Sequence, residues 1–252
     1  MTHDYGKRRA GVDLASPLPI AANIEKLGAY YSTLGVAIVA STQETRLDQE
    51  KFEQGMTTQQ YIDQIKVNKD PFVAIYDAVQ VPADSLSLFN ELSEPLKLAV
   101  FTADWCGDAM STTPVILKLA DSTPNISLQV FNRDDELELS NSLLPEHRAG
   151  TVPLFVVMDQ EMQQMVRFIE TANTLVPDID AMDAAIDEET AGMDEAEQRR
   201  AKRGRRTSYR VERAQAWGEV ILKEFGGLVA DALAAGHGDL PLEGGTKWPP
   251  ED

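Results

Sequence analysis

Cys106 is the only cysteine in a chain of 252 residues, and it stands in the stretch Phe101-Thr102-Ala103-Asp104-Trp105-Cys106-Gly107-Asp108-Ala109. The apolar run from Leu96 to Thr102 predicts a buried strand, and the Trp-Cys-Gly turn after it opens a predicted helix that runs to about Ala120. The thiol is thereby placed at a helix N-terminus, where aligned peptide dipoles and unpaired backbone N–H groups favour a thiolate. The chemistry on offer is nucleophilic attack by sulfur. Two acids oppose it, because Asp104 and Asp108 flank the cysteine. A carboxylate about 6 Å from the sulfur, at an effective dielectric near 40, disfavours the thiolate by on the order of 1.4 kcal/mol, roughly tenfold in its ionisation ratio. A modestly activated thiol is expected. Asp108 has a purely structural use as well, as an acid in the first turn of a helix.

A single cysteine excludes an internal disulfide and a multi-cysteine zinc site. His3, His147 and His237 are too scattered to suggest a metal site, and none is expected.

Trp105-Cys106-Gly107, Pro114 further along the helix, and Thr151-Val152-Pro153 at the entry to a second apolar strand together resemble the active-site layout of the thioredoxin superfamily. The resemblance covers about Lys97 to Glu170. It implies a thioredoxin-like α/β fold, with a central mixed β-sheet flanked by helices. It makes Cys106 the nucleophile, Pro153 the cis-proline that faces it, and Pro114 the proline that kinks the active-site helix. Trp105 would shield one side of the sulfur, Gly107 would allow close approach, and in Thr151-Val152-Pro153 the residue before the cis-proline, Val152, would offer its backbone N–H and C=O to an extended substrate, since Pro153 has no N–H of its own. A longer match, Gly55-Met56-Thr57-Thr58-Gln59-Gln60-Tyr61 through Val67-Asn68-Lys69 followed by Trp-Cys-Gly-Asp-Ala, resembles a bacterial thioredoxin-like branch with a helical lead-in.

Three departures from the family pattern bear on function. Ala109 occupies the place of the second cysteine, so a mixed disulfide at Cys106 has no resolving thiol in the same chain. Asp108 stands where the family usually has proline. Val100 aligns with the buried carboxylate that many thioredoxins use as a proton relay, and valine cannot ionise.

The elements around this stretch divide the chain into a helical N-terminal extension over 1–95, a thioredoxin-like core over 96–190, a C-terminal helical extension over 191–235, and a Gly-Pro-rich tail over 236–252 that is expected to be disordered. Residues 1–17 read as a loose arm. Ala21 to Val39 carries Ile24, Leu27, Tyr31, Leu34 and Ile38 at helical spacing, whereas Thr42 to Gln54 reads as a solvated helix or a linker. Helices are predicted at Met56–Ile65, after Pro71, and from Ala83. In the core, Ile126–Phe131 predicts a strand, Leu137–Leu144 a short helix, Leu154–Met158 with Met165–Ile169 a hairpin, and Ile179–Ala185 the last helix. Trp217, Val220, Ile221, Phe225, Leu228, Val229 and Leu233 predict a closing helix that packs on the core.

The net charge of −18 argues against nucleic acid or an anionic membrane as the main partner. The basic residues Lys7, Arg8 and Arg9 imitate the start of a signal peptide, but Asp13, Pro17, Pro19 and Glu25 interrupt any apolar core after them, and no membrane span is predicted. A cytoplasmic protein is expected. Between Arg199 and Arg213 lie eight of the 23 lysines and arginines. They read as a solvated helix whose arginines pair with the acidic stretch Asp178 to Glu197, or alternatively as a docking patch for an acidic partner or a nucleic acid, the latter without aromatic interleaving beyond Tyr209 to support it.

Two functions fit these residues. In one, Cys106 forms mixed disulfides with a protein disulfide or small-thiol substrate, and glutathione or another low-molecular-weight thiol resolves them. In the other, the groove is kept as a binding or adaptor surface and turnover has been lost, a reading that Ala109, Asp108 and Val100 favour.

Overall fold

The computed structural model describes residues 46–247; the predicted N-terminal arm and the predicted helix Ala21 to Val39 lie outside the described residues. Five strands, β1 (Leu96–Thr102), β2 (Ile126–Asn132), β3 (Leu154–Met158), β4 (Gln164–Ile169) and β5 (Leu242–Gly245), form one sheet in the order β2-β1-β3-β4-β5. β1 runs parallel to β2, with Leu96 opposite Ile126, and antiparallel to β3, with Phe101 opposite Leu154. β3 and β4 form the expected antiparallel hairpin, and β5 runs parallel to β4. The sheet is therefore mixed and helices flank it, as a thioredoxin-like α/β fold requires.

Every residue of β1 is buried, which requires cover on both faces of the sheet. Alternation supplies two apolar faces. Leu98, Val100, Phe155, Val157, Val166 and Phe168 share one cluster with Phe72, Val115, Leu119 and Phe225. Ala99, Phe101, Leu154, Val156 and Met158 share the other with Phe52, Phe131, Leu139 and Leu143.

Four helices lead into the sheet: α1 (Gln49–Phe52), α2 (Thr58–Gln64), α3 (Lys69–Ala78) and α4 (Ala83–Asn90). Thr57 and Gln60 close a reciprocal capping box at the start of α2. Pro71 lies in the first turn of α3 and Pro82 is the N-cap of α4, positions where a missing N–H costs nothing. The polar stretch before Gln54 is more than a solvated helix or linker. Asp48 caps a single turn by accepting from the Lys51 N–H at 2.9 Å, and Leu47 and Phe52 are buried on the second face of the sheet. Met56 then exchanges both backbone hydrogen bonds with Val130 of β2, at 2.8 Å each, so the lead-in also touches the sheet edge.

After β1 come α5 (Gly107–Asp121), α6 (Leu137–Leu143), α7 (Val176–Glu189), α8 (Glu195–Glu212) and α9 (Ala214–Ala234). α9 closes the first face as predicted, with Trp217, Ile221, Phe225 and Val229 buried. Leu233 departs from the expectation: it is 40% exposed, and Ala232 beside it takes the buried place at the end of the stripe. The Phe225 ring lies edge-on to Phe168 at 5.6 Å and stacks near Phe89 at 6.4 Å, so it locks α9 to both the sheet and α4. Among the described residues, no helix is long and apolar enough to cross a membrane.

The tail after Ala235, expected to be disordered, contributes β5 in its described part. Leu242 to Gly245 pairs with Val166 to Ile169, the Thr246 N–H donates to the Ile169 carbonyl at 3.0 Å, and Arg148 donates to the Thr246 carbonyl at 2.7 Å. The sequence Leu-Glu-Gly-Gly carries no alternating pattern. What it supplies is backbone, which satisfies the N–H and C=O groups that β4 would otherwise leave open at a sheet edge.

The packing around Phe225 makes Phe225→Ala cost about 3–5 kcal/mol. Urea denaturation should show a lower midpoint with an unchanged slope. A loss under about 1 kcal/mol would mean that α9 is peripheral to the core.

Candidate functional site

β1 ends at Thr102, and its hydroxyl meets that of Thr113 in α5 at 2.9 Å in the buried space under the turn. This contact ties the end of the strand to the helix that follows. Cys106 is the N-cap residue of α5, partly buried, and its Sγ donates to the Val152 carbonyl at 3.5 Å. The Val152–Pro153 peptide bond is cis. The structure thus brings together the two pieces that the sequence separates by 46 residues, the thiol turn and the Thr151-Val152-Pro153 loop. Thr151 is half-buried and donates its N–H to the Arg148 carbonyl at 3.0 Å, while Val152 and Pro153 are buried. Among the described residues, none accepts a hydrogen bond from the Val152 N–H.

The flanking residues have other occupations than those the sequence suggests. Asp104, expected to act on the thiol, spends its carboxylate on the lead-in: Oδ2 accepts from the Lys66 and Val67 N–H groups at 2.8 and 3.0 Å. Its carbonyl accepts from Asn68 Nδ2 at 2.8 Å. The residues between α2 and α3 are therefore fastened to the thiol turn. Trp105 is 51% exposed, and its indole N–H donates to Asp134 at 2.7 Å with the Arg133 guanidinium 5.3 Å from the ring centre. Ala109 is buried in α5, and Pro114 is accommodated inside the same helix. Val100 lies fully buried between Val130 and Phe155, with no carboxylate at that place. A cleft of about 510 Å³, lined by Tyr61, Lys66, Asp104, Asn132 and Asp134 among others, opens beside this end of the sheet.

Asp108 is where the sequence misses most. Its carboxylate accepts from Arg210 Nη2 of α8 at 2.9 Å, and the guanidinium also covers Gly107, where a Cβ would collide with Nη1. The open face of Gly107, expected to admit a substrate, is filled by an arginine from α8. Three more members of the basic cluster pair with acids: Arg206 with Asp183 and Lys202 with Asp187, both at 2.7 Å, and Arg205 with Glu189. These are the acids of α7, so the arginine-rich segment lies against its own acidic neighbour, as the solvated-helix reading expects.

Burial pushes the Cys106 thiol above its ordinary value; the Ala109 N–H pulls it back, the Asp108 carboxylate adds to the rise, and the Asp108 N–H and Arg210 oppose it. The helix N-terminus does act as expected, but desolvation outweighs it. Tyr61, within the electrostatic reach of Cys106 and Asp104, has its hydroxyl pushed up to about 12 by burial. Neither Tyr61 nor Arg210 carries a signal in the sequence that relates it to Cys106. Among the described residues, no group of His, Cys, Asp and Glu side chains is arranged to hold a metal.

Two expectations follow from this geometry. Asp104→Ala leaves two backbone donors without their acceptor and should cost about 1–3 kcal/mol in denaturant melts, whereas Asp104→Asn, which keeps an acceptor oxygen, should lose less than half of that. Iodoacetamide alkylation of the native protein should show a pH midpoint above the roughly 8.5 of a free thiol, since the protonated form is favoured by folding; a midpoint at or below that value would show that the helix terminus prevails over burial.

A family model described as thioredoxin matches residues 55–183. Among solved structures, the chain is similar to a protein of unknown function from Pseudomonas aeruginosa, at 14% identity and a TM-score of 0.44 over 66% of this chain and 92% of that one. It is similar to an HIV epitope-scaffold at 17% identity and a TM-score of 0.47, over 78% of this chain and 100% of the other. It is also similar to the oxidised form of mitochondrial thioredoxin 3 from Saccharomyces cerevisiae, at 17% identity and a TM-score of 0.25, over 38% of this chain and 86% of that one. No curated protein matches it. The matched family segment runs from the lead-in through β1, the Cys106 turn, the Val152–Pro153 loop and the β3–β4 hairpin into α7, and it spans just over half of the sequence. On that match, the chain belongs to the thioredoxin family.

Proposed function

We propose that this protein is a monothiol exchange protein of the cytoplasm, in which Cys106 forms mixed disulfides that an external thiol resolves. The observation that carries the reading is the juxtaposition of the Cys106 sulfur, at the N-terminus of α5, with the backbone of the Val152–Pro153 loop 3.5 Å away. An extended disulfide-bearing peptide or a small-thiol disulfide that takes up the Val152 N–H and C=O would present its sulfur to Cys106. The Cys106 thiolate attacks one sulfur of the substrate; the new Cys106 disulfide forms as the old bond breaks, and the departing thiolate takes up a proton. A second thiol from solution, of the glutathione class, attacks the substrate sulfur of that adduct and restores Cys106, so one disulfide is consumed and one formed. No resolving cysteine is needed within the chain. The helical lead-in from Gly55 to Lys69 and the Trp-Cys-Gly-Asp-Ala turn support assignment to a bacterial branch of the family.

One observation favours a second reading. Burial disfavours the Cys106 thiolate, which suits a groove kept for binding a peptide without turnover.

Exposure to oxidised glutathione, read by intact mass, separates the two. Exchange requires a single adduct on the native protein, its reversal by reduced glutathione, and no adduct on Cys106→Ser. Absence of an adduct on native protein over hours would end the exchange reading, and retention of a peptide partner by Cys106→Ser would then mark an adaptor.

A further inference from the structure

Arg210 has an uncommon placement for a charged residue. It is 7% exposed, near the C-terminal end of an 18-residue helix, and its guanidinium lies against the first residue of α5. Nη2 donates to Asp108, a carboxylate that is 35% exposed, while Nε is buried with no partner among the described residues. Burying a cation is costly unless it is paired and its donors are used, and one part-exposed carboxylate satisfies it only in part. The residue next to Gly107 is Cys106. A negative charge appearing on that sulfur would add a second anion close to a cation that water barely reaches, and the interaction would be screened far less than at the surface.

We propose that Arg210 is an electrostatic positioning residue of the thiol site: α8 delivers its guanidinium over Gly107, where it neutralises Asp108 and offsets part of the cost that burial places on the Cys106 thiolate. The groups facing the sulfur come from several elements. Asp108 opposes the thiolate from α5 itself, Tyr61 of α2 stays protonated, Asp104 is committed to the Lys66 and Val67 N–H groups, and the Val152 carbonyl faces the sulfur from the loop before β3. Arg210 is the cation in this set, and its influence on Cys106 is in the lowering direction. Gly107 lacks a side chain where a Cβ would displace Nη1. The inference deepens the exchange reading and rests on it for its use in turnover, but the effect on the thiol is measurable without any substrate.

The test is the pH dependence of iodoacetamide alkylation of Cys106 in the full chain, with oxidised glutathione adduct formation measured on the same samples. Arg210→Gln should raise the alkylation midpoint by about 0.3 pH unit or more, which slows alkylation at neutral pH at least about twofold. Arg210→Lys should recover at least half of that shift, because it keeps the charge. Gly107→Ala should move the midpoint in the same direction with every charge retained, and it decides the matter if Arg210→Gln does not fold by circular dichroism. An unchanged midpoint in folded Arg210→Gln, or in Gly107→Ala where Arg210→Gln fails to fold, overturns the proposal. Shifted midpoints with no glutathione adduct on the native protein would uphold the electrostatic role and remove the exchange reading alone.

Discussion

The burial of β1 on both faces is the constraint from which the rest of the architecture follows. A strand with no exposed residue needs an apolar layer above and below it, and the chain supplies the two layers from different places. α3, α5 and α9 cover one face, while Phe52 of the lead-in and Leu139 and Leu143 of α6 cover the other. The end of such a strand is held on every side, so the residue that follows it can be positioned closely. Thr102 bonds to Thr113, Asp104 holds the lead-in, and Cys106 opens α5 directly opposite the Val152 carbonyl.

Charge in this molecule is organised locally against a strongly acidic background. α8 carries most of the basic cluster, and its side chains fall on Asp183, Asp187 and Glu189 of α7, exposed pairs that contribute little individually but align two helices. Lys202 holds the Asp187 carboxyl below its usual range. Arg210 is of another kind. One helical turn beyond Arg206 the helix has reached the core, and the same type of side chain passes from solvent to a buried contact with the thiol turn. The difference between a solvated cation and one that acts on the site is made by where α8 passes over α5.

The thiol illustrates two effects of opposite sign. Helix-terminal N–H groups favour the thiolate, and desolvation favours the thiol; the fold that brings Cys106 to the helix end also buries it, so both arrive together. Asp108 and Arg210 then form a neighbouring dipole of their own. An apolar Val100 in place of an ionisable side chain leaves this pair, and not a buried carboxylate, as the charged environment of the sulfur.

By itself the sequence determined the elements whose signals are local. The unbroken apolar run Leu96 to Thr102, the turn with its lone cysteine, the alternation through Leu154 to Ile169 and the helical stripe around Phe225 each state their own conformation, because side-chain periodicity follows directly from backbone geometry. Ala109 equally stated that no second thiol is present. The tertiary structure decided what depends on backbone pairing or on distance. β5 forms from Leu-Glu-Gly-Gly because β4 presents open hydrogen-bonding groups, not because those residues prefer a strand. Phe52 is buried by the sheet face above which Asp48 starts its turn, while Leu233, on a stripe that reads as apolar, is left outside. Above all, nothing in a run of arginines says that the one at 210 will meet Asp108, 102 residues earlier. A periodic pattern can specify which face of a helix is apolar; only the packing of one helix across another specifies which charge ends beside the sulfur.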